Sequence, residues 1–294
     1  MSDPFGPALN EKLASQKEGE VVLLENLRRD PREKTNDESF GKELASLADL
    51  YVNEAFPVSH RPHASVVGIP KFLPSFAGLR FAQEVKYLSA AFNPPKPFLF
   101  ILGGAKFETK LPLIKKFITV ADYVYVGGAL ANDLFKAKSL PVGDSKVSGA
   151  VDLSEIVESK KIILPSDVIV QNGNDIAEKL PTEVGAGDKI FDAGPKSVND
   201  LRLLLQKSAF VLWNGPLGNF ELGFKEATIE LAKLISESDT TSLIGGADTI
   251  AAISELHLEE KFGFISTGGG AMLDFLASGT LPGITALENS NSVA

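Results

Sequence analysis

The segment FLFILGGAKFETK (98–110) decides the fold: a short apolar run, a glycine pair, and then a polar stretch with helical spacing. The same rhythm returns at YVYVGG (123–128), KIILP (161–165), KIFDAG (189–194), AFVLWNG (209–215), SLIGG (242–246) and FGFISTGGG (262–270). Most of these runs are too short, and too rich in β-branched and aromatic residues, for helices. The stretches between them, such as Lys196–Lys207, Lys225–Glu237 and Asp248–Leu256, carry apolar residues at helical spacing. Strands alternating with helices predict a parallel sheet covered by helices on both faces. The glycines then fall where strands end and helices begin, the rim at which open α/β sheets bind ligands.

The sequence before residue 93 reads differently. VVLLEN (21–26) and LYVNEAF (50–56) predict strands, with a helix at Phe40–Leu47 between them. Gly78–Phe92 predicts a long amphipathic helix ended by Asn93-Pro94-Pro95, a boundary signal. Two strands bury too little to make a self-sufficient sheet, so this part reads as an incomplete lobe with an exposed sheet edge. Poor solubility or association is the expected consequence.

Composition narrows the function classes. The 294 residues hold 29 Lys and Arg against 38 Asp and Glu, a formal charge of −9 that disfavours nucleic acid and anionic membrane as partners. The absence of cysteine removes thiolate catalysis and cysteine zinc sites and fits a reducing compartment. The N-terminal residues lack signal-peptide character and no apolar run is long enough to span a bilayer, so the expected location is cytoplasmic. G-x-x-x-x-G-K-[ST], G-x-G-x-x-G and D-F-G are all missing, so ordinary NTPases, dehydrogenases and protein kinases lose ground together. With His60, His63 and His257 as its only histidines, the chain is poor in acid–base material.

What remains is charge. Lys106 and Lys110 lie four residues apart at a predicted helix start behind Gly103-Gly104; they are either solvated surface lysines or a phosphate cradle, and the glycine pair favours the cradle. Asp248, after Gly245-Gly246-Ala247 and before Thr249, is either a plain helix N-cap or the single carboxylate that a magnesium–nucleotide complex needs. Asn214 through Glu221 (NGPLGNFE) is a third turn after a strand, where Glu221 either accepts ribose hydroxyls or faces solvent.

In this order, LLENLR, VNEAF, SHRPHAS, LGGAK, WNGPLGNFE, IGGADT and STGGGA resemble the motifs of phosphoglycerate kinases, from about Gly19 to Leu287. The resemblance implies a two-lobed α/β protein with parallel sheets flanked by helices. It divides the chain into a partial acid-substrate lobe with its connecting helix (1–93), a nucleotide lobe (94–274) and a tail returning to the first lobe (275–294). The implied reaction is the glycolytic, reversible transfer of phosphate between 1,3-bisphosphoglycerate with ADP and 3-phosphoglycerate with ATP, with Mg²⁺. By the same resemblance Lys106 stabilises the phosphoryl group in flight and Lys110 holds nucleotide phosphates. Asn214, Glu221, Gly246, Ala247, Asp248 and Thr249 bind nucleotide, with Asp248 also serving the metal. Gly268, Gly269 and Gly270 offer a helix start to developing charge, while Arg28 and Arg61 hold the acid. A full-length form is expected to be monomeric.

The chain departs from the family pattern. The Asp-x-Asn strand, an early Arg and the His-Leu-Gly-Arg turn are missing; Ala129 and Ala247 replace turn glycines, and Ile190 stands where many members carry glycine near the adenosine. Each lost charge-assisted bond is worth about 1.5–3 kcal/mol. The expectation is therefore an N-terminally incomplete polypeptide that binds nucleotide and transfers phosphate poorly. The competing reading is a non-catalytic nucleotide-binding module with a shrunken first lobe.

Overall fold

The computed structural model describes residues 6–149 and 152–291, which fall in two units. One holds the residues up to Lys86 and those from Ser278 on; the other is Tyr87–Ala277. The sequence reading places the corresponding boundaries at 93/94 and 274/275.

In the first unit, α1 (Pro7–Ala14), α2 (Pro31–Lys34) and α3 (Glu38–Ala45) precede β1 (Tyr51–Asn53) and β2 (Ser75–Ala77), which pair in parallel. The Asp37 carboxylate accepts the Phe40 N–H at 3.0 Å and so fixes the start of α3, whose face of Phe40, Gly41, Leu44 and Ala45 is buried. The expected strand at 21–26 does not form. A strand needs a hydrogen-bonding partner and this segment pairs with no strand among the described residues; Val21 and Leu23 are 88% and 87% exposed. The strand expected over 50–56 shrinks to β1, because Phe56-Pro57-Val58 turns into a 3₁₀ helix. Val52 of β1 and Phe76 of β2 are exposed on this small sheet.

Helix α4 (Leu79–Ser89) leads into the second unit, where β3 (Phe98–Leu102), α5 (Phe107–Val120), β4 (Tyr123–Val126), α6 (Ala129–Ala137), α7 (Ser154–Val157) and β5 (Ile162–Ile163) follow. Next come β6 (Val168–Asn172), β7 (Asp175–Lys179), β8 (Lys189–Ala193), α8 (Pro195–Leu205) and β9 (Phe210–Asn214). The remaining elements are α9 (Glu226–Ser236), β10 (Thr241–Gly245), α10 (Ala247–Glu255), β11 (Phe264–Ser266) and α11 (Gly270–Ser278); α12 (Pro282–Asn291) returns to the first unit.

The main sheet is parallel, in the order β11-β10-β9-β3-β4-β5. Its central strands β3 and β9 are buried at every position, as a sheet covered on both faces requires. Leu99, Ile101, Val211 and Trp213 face α8 and α9 residues in one core, while Phe98 and Phe100 pack their rings on Phe117 of α5. The α/β class read from the sequence is the observed one.

One run departs from it. KIFDA (189–193) is not in the parallel sheet; β8 pairs antiparallel with β6, and β6 with β7, in a separate sheet of order β7-β6-β8. The hairpin β6–β7 closes through Gly173 and Asn174, and Gly173 supplies the positive φ of 60° that a two-residue loop with leading glycine demands.

A long-range cap fastens α8. The buried Asp167 carboxylate accepts the Lys196 N–H (2.9 Å), the Ser197 N–H (2.7 Å) and the Ser197 hydroxyl (2.6 Å). Removing it strands buried donors at a helix start, so Asp167→Ala should cost about 3 kcal/mol, read from the urea-unfolding midpoint at unchanged slope.

Candidate functional site

Four strand-to-helix turns meet at the C-terminal rim of the main sheet, and backbone bonds sew them together. Gly103 N–H donates to Asn214 O and Gly104 N–H to Pro216 O, both at 2.9 Å; Gly128 N–H donates to Leu217 O at 3.0 Å. The turn after β9 is tied to α10 by Gly215 N–H on the Thr249 hydroxyl at 3.0 Å. The approach is so close that a Cβ on Gly103 would lie 2.0 Å from the Pro216 carbonyl oxygen. Gly246, at φ 102°, turns the chain from β10 into α10.

Above these turns lies a cavity of about 860 Å³ walled by residues that the sequence singles out: Lys106, Lys110, Asn214, Glu221, Gly246, Ala247, Asp248 and Gly269. The starts of α5, α6, α10 and α11 border it, so their partial positive charge converges on one volume.

The two lysines are not equivalent. Lys106 is the exposed N-cap residue of α5, one position before the helix. Lys110, within it, is 9% exposed and turns its ammonium back to the Gly103 carbonyl at 2.5 Å. Burial pulls the Lys110 pKa down to about 8, and the negative Asp248 opposes that shift. Asp248 is exposed in the first turn of α10 and does not cap it; Gly246 occupies the N-cap position. Its carboxylate is thus left to the cavity, an arrangement that suits one hard cation shared with phosphate oxygens. Among the described residues no cluster of three or more His, Asp or Glu could hold a metal by itself.

The other expected residues differ in their surroundings, and Thr249 and Gly270 are not part of the cavity wall. Thr249 is fully buried beneath the wall, where its hydroxyl holds Gly215. Gly270 begins α11 behind Gly269. Asn214 is buried, with its Nδ2 3.8 Å from the Met272 sulfur. Glu221 is exposed on a 3₁₀ turn (Phe220–Leu222) whose entry is capped by Asn219.

Arg28 and Arg61 belong to the first unit and are both exposed. Their positive charges reach His63, whose pKa is lowered chiefly by burial, against the pull of Glu33, and further by Arg28, Arg61 and Lys34. A larger cavity in the same unit, about 1150 Å³, has Lys71 as its sole charged lining residue and gathers no comparable chemistry.

Sequence reasoning missed a further group in the cavity wall: Asn132, Asp144, Lys146 and Lys189. They come from α6, the loop after it and the edge of β8, and no local motif marks them. Buried Asp192 also escaped it. Burial lifts its pKa to about 7, against the hydrogen bonds from the Ala227 and Ala193 N–H groups, and its Oδ1 lies 2.3 Å from where a Gly218 Cβ would sit. It thereby braces the loop that carries Glu221.

Gly103→Ala should separate the sewn turns, with a stability loss of about 2–3 kcal/mol from overpacking. Thermal or urea unfolding measures the loss, and a change below about 0.5 kcal/mol would mean that the rim is not held by this contact.

Comparison with known proteins identifies the family. A family model described as phosphoglycerate kinase matches residues 1–279. The chain is 40% identical over 301 residues to a phosphoglycerate kinase of Syntrophobacter fumaroxidans, covering 97% of this chain and 76% of that one. With the enzyme of Orientia tsutsugamushi it shares 41% over 305 residues, covering 97% and 75%. Among solved structures, phosphoglycerate kinase from Pyrococcus horikoshii superposes with a TM-score of 0.88 at 32% identity, covering 99% of this chain and 78% of that one. The Coxiella burnetii enzyme gives 0.82 at 32%, covering 92% and 73%. The α/β architecture and the family match across residues 1–279 make this chain a member of the phosphoglycerate kinase family.

Proposed function

We propose that the rim cavity is the nucleotide half of a phosphoglycerate kinase site, transferring phosphate between ATP and the carboxylate of 3-phosphoglycerate and back. Family membership makes the chain a phosphotransferase, and a non-catalytic module is the less favoured reading. The observation that carries the site assignment is the convergence of Lys106, Lys110, Asp248 and several helix starts on one cavity.

The chemistry needs little more than these groups. The acceptor carboxylate is ionised at neutral pH and attacks the terminal phosphorus of ATP. The bond from that phosphorus to its bridging oxygen breaks, its electron pair leaves with ADP, and an acyl phosphate results without a general base. Catalysis then rests on positioning and charge neutralisation. Lys106, exposed at the mouth of α5, neutralises the group in transfer, and Gly269 and Gly270 present the start of α11 to it. Lys110 holds the inner phosphates, and Gly246, Ala247 and Thr249 shape the phosphate turn. Asn214 and Glu221 orient the nucleotide, Glu221 at the ribose, while Arg28 and Arg61 take the acid. Asp248 is the carboxylate that would hold Mg²⁺, which when bound neutralises phosphate oxygens. No helix among the described residues is long and apolar enough to cross a membrane; glycolytic metabolism in the cytoplasm is the setting this reaction fits.

Two outcomes test the assignment. Lys106→Ala should lower kcat by about a hundredfold or more and change nucleotide affinity by less than about threefold. Steady-state kinetics with 3-phosphoglycerate and MgATP, beside calorimetric titration, decide it; unchanged turnover removes Lys106 from the transfer step. The second outcome concerns pH. A Lys110 pKa of about 8 means that the ammonium is charged below that pH and lost above it. MgADP affinity should therefore fall between pH 7 and 9, at most about tenfold per unit, and Lys110→Met should flatten the profile. An identical slope in the variant would assign the titration to another group.

A further inference from the structure

In the first unit, SHRPHAS (59–65), the segment that carries Arg61, is fastened at both ends by buried polar side chains. At its start the Ser59 hydroxyl accepts from Asn53 Nδ2 at 3.1 Å and donates to the Ala55 carbonyl at 3.0 Å. The Ser59 carbonyl accepts the Gly283 N–H of α12 at 2.9 Å. At its end the Glu33 carboxylate of α2, 3% exposed, accepts the Ser65 N–H at 2.9 Å and the Ser65 hydroxyl at 2.5 Å. His63 Nδ1 stands 3.6 Å from the same carboxylate.

Between these anchors the backbone is tightly turned. Arg61 N–H donates to Val58 O at 3.0 Å and His63 N–H to Arg61 O at 2.8 Å, and Pro62 fixes a further dihedral. Arg61 is exposed, and its Nε donates to His60 Nε2 at 3.3 Å. The two anchors differ in kind. Asn53 and Ser59 close a local turn, as ordinary fold support does. Glu33 is a carboxylate, costly to bury unless it is bonded, and it spends its bonds on a residue 32 positions away. Ser65 is the second residue of the π-helical turn Ala64–Gly68, so Glu33 caps that turn and sets how 60–63 enters it.

We propose that Glu33 is a positioning residue for acid binding: by holding Ser65 and facing His63 it fixes the backbone from which Arg61 reaches a phosphorylated carboxylic acid. The anion then meets a guanidinium on a segment already ordered, which removes an ordering cost from binding. Glu33 acts through Ser65 and needs no contact with the substrate itself. The proposal rests on the reading of Arg61 as an acid-binding residue.

Calorimetric titration of the whole chain with 3-phosphoglycerate, and separately with MgADP, tests it. Glu33→Gln, which turns one acceptor oxygen into a donor, and Ser65→Ala, which removes the hydroxyl contact, should each weaken 3-phosphoglycerate about fivefold. MgADP should change by less than about twofold in both, because its groups lie in the other unit. The double variant should bind the acid within about twofold of Glu33→Gln alone, since both changes break one contact. Ser65→Thr, which keeps the hydroxyl, should restore acid affinity to within about twofold of the unaltered chain. If Glu33→Gln does not fold, the two Ser65 variants decide. Equal losses for acid and nucleotide, or Ser65→Thr no better than Ser65→Ala, mean plain fold support and overturn the proposal. Unchanged acid affinity in the Glu33 and Ser65 variants, with Arg61→Ala weakened, overturns it alone. An unaltered chain that does not bind 3-phosphoglycerate, or no effect of Arg61→Ala, overturns the acid reading with it.

Discussion

The second unit depends on one close approach, that of the Gly103–Gly104 backbone to the Asn214–Leu217 turn. β3 and β9 are neighbours over their whole length, and two backbone hydrogen bonds extend their pairing past the sheet into the turns. The absence of a Cβ on Gly103 lets the Pro216 carbonyl sit against its Cα. Because α5 starts at this point, the same contact sets where Lys106 stands and gives the Lys110 ammonium a carbonyl to return to. Gly128 and Thr249 join the adjoining turns to it, so a displacement in one turn would be felt by all.

Electrostatics follows from that geometry. A chain with a net charge of −9 attracts phosphates poorly as a whole, and the cavity reverses this locally. It does so with Lys106 and Lys110 at one helix start, with Lys146 and Lys189 from other elements, and with the oriented N–H groups of several helices, which cannot be neutralised by a change of pH. The tension is carried by Lys110: its burial makes the charged form costly, and Asp248 restores part of what burial removes. A phosphate entering between them would add to the same restoring field.

How much of this was legible in the sequence varied with the range of the determining contacts. The α/β rhythm and the rim glycines were legible, because strand length, buried apolar runs and the glycine stop are all local signals. Lys106, Lys110 and Asp248 were legible for the same reason, each standing within a few residues of its turn. KIFDA (189–193) was misassigned because an apolar run does not say which sheet it will join; the Asn172-Gly173-Asn174 turn, flanked by alternating residues, was the overlooked sign of a hairpin beside it. VVLLEN (21–26) shows the converse, since strand propensity without a pairing partner leaves a segment outside any sheet, with Val21 and Leu23 exposed and Leu24 against the core of the first unit.

Sequence by itself determined the class of the sheet, the family motifs and the residues able to neutralise phosphate, since these depend on neighbours a few positions apart. Tertiary structure alone decided which lysine is buried and which is exposed. It also decided that Thr249 supports the wall instead of lining it, and that Asp144, Lys146 and Asn132 reach the cavity at all. Those outcomes hang on contacts between residues far apart in the chain, such as Ser145 with Ile190 and Gly215 with Thr249. Burial and hydrogen-bond satisfaction are properties of the assembled rim, and no local spacing encodes them.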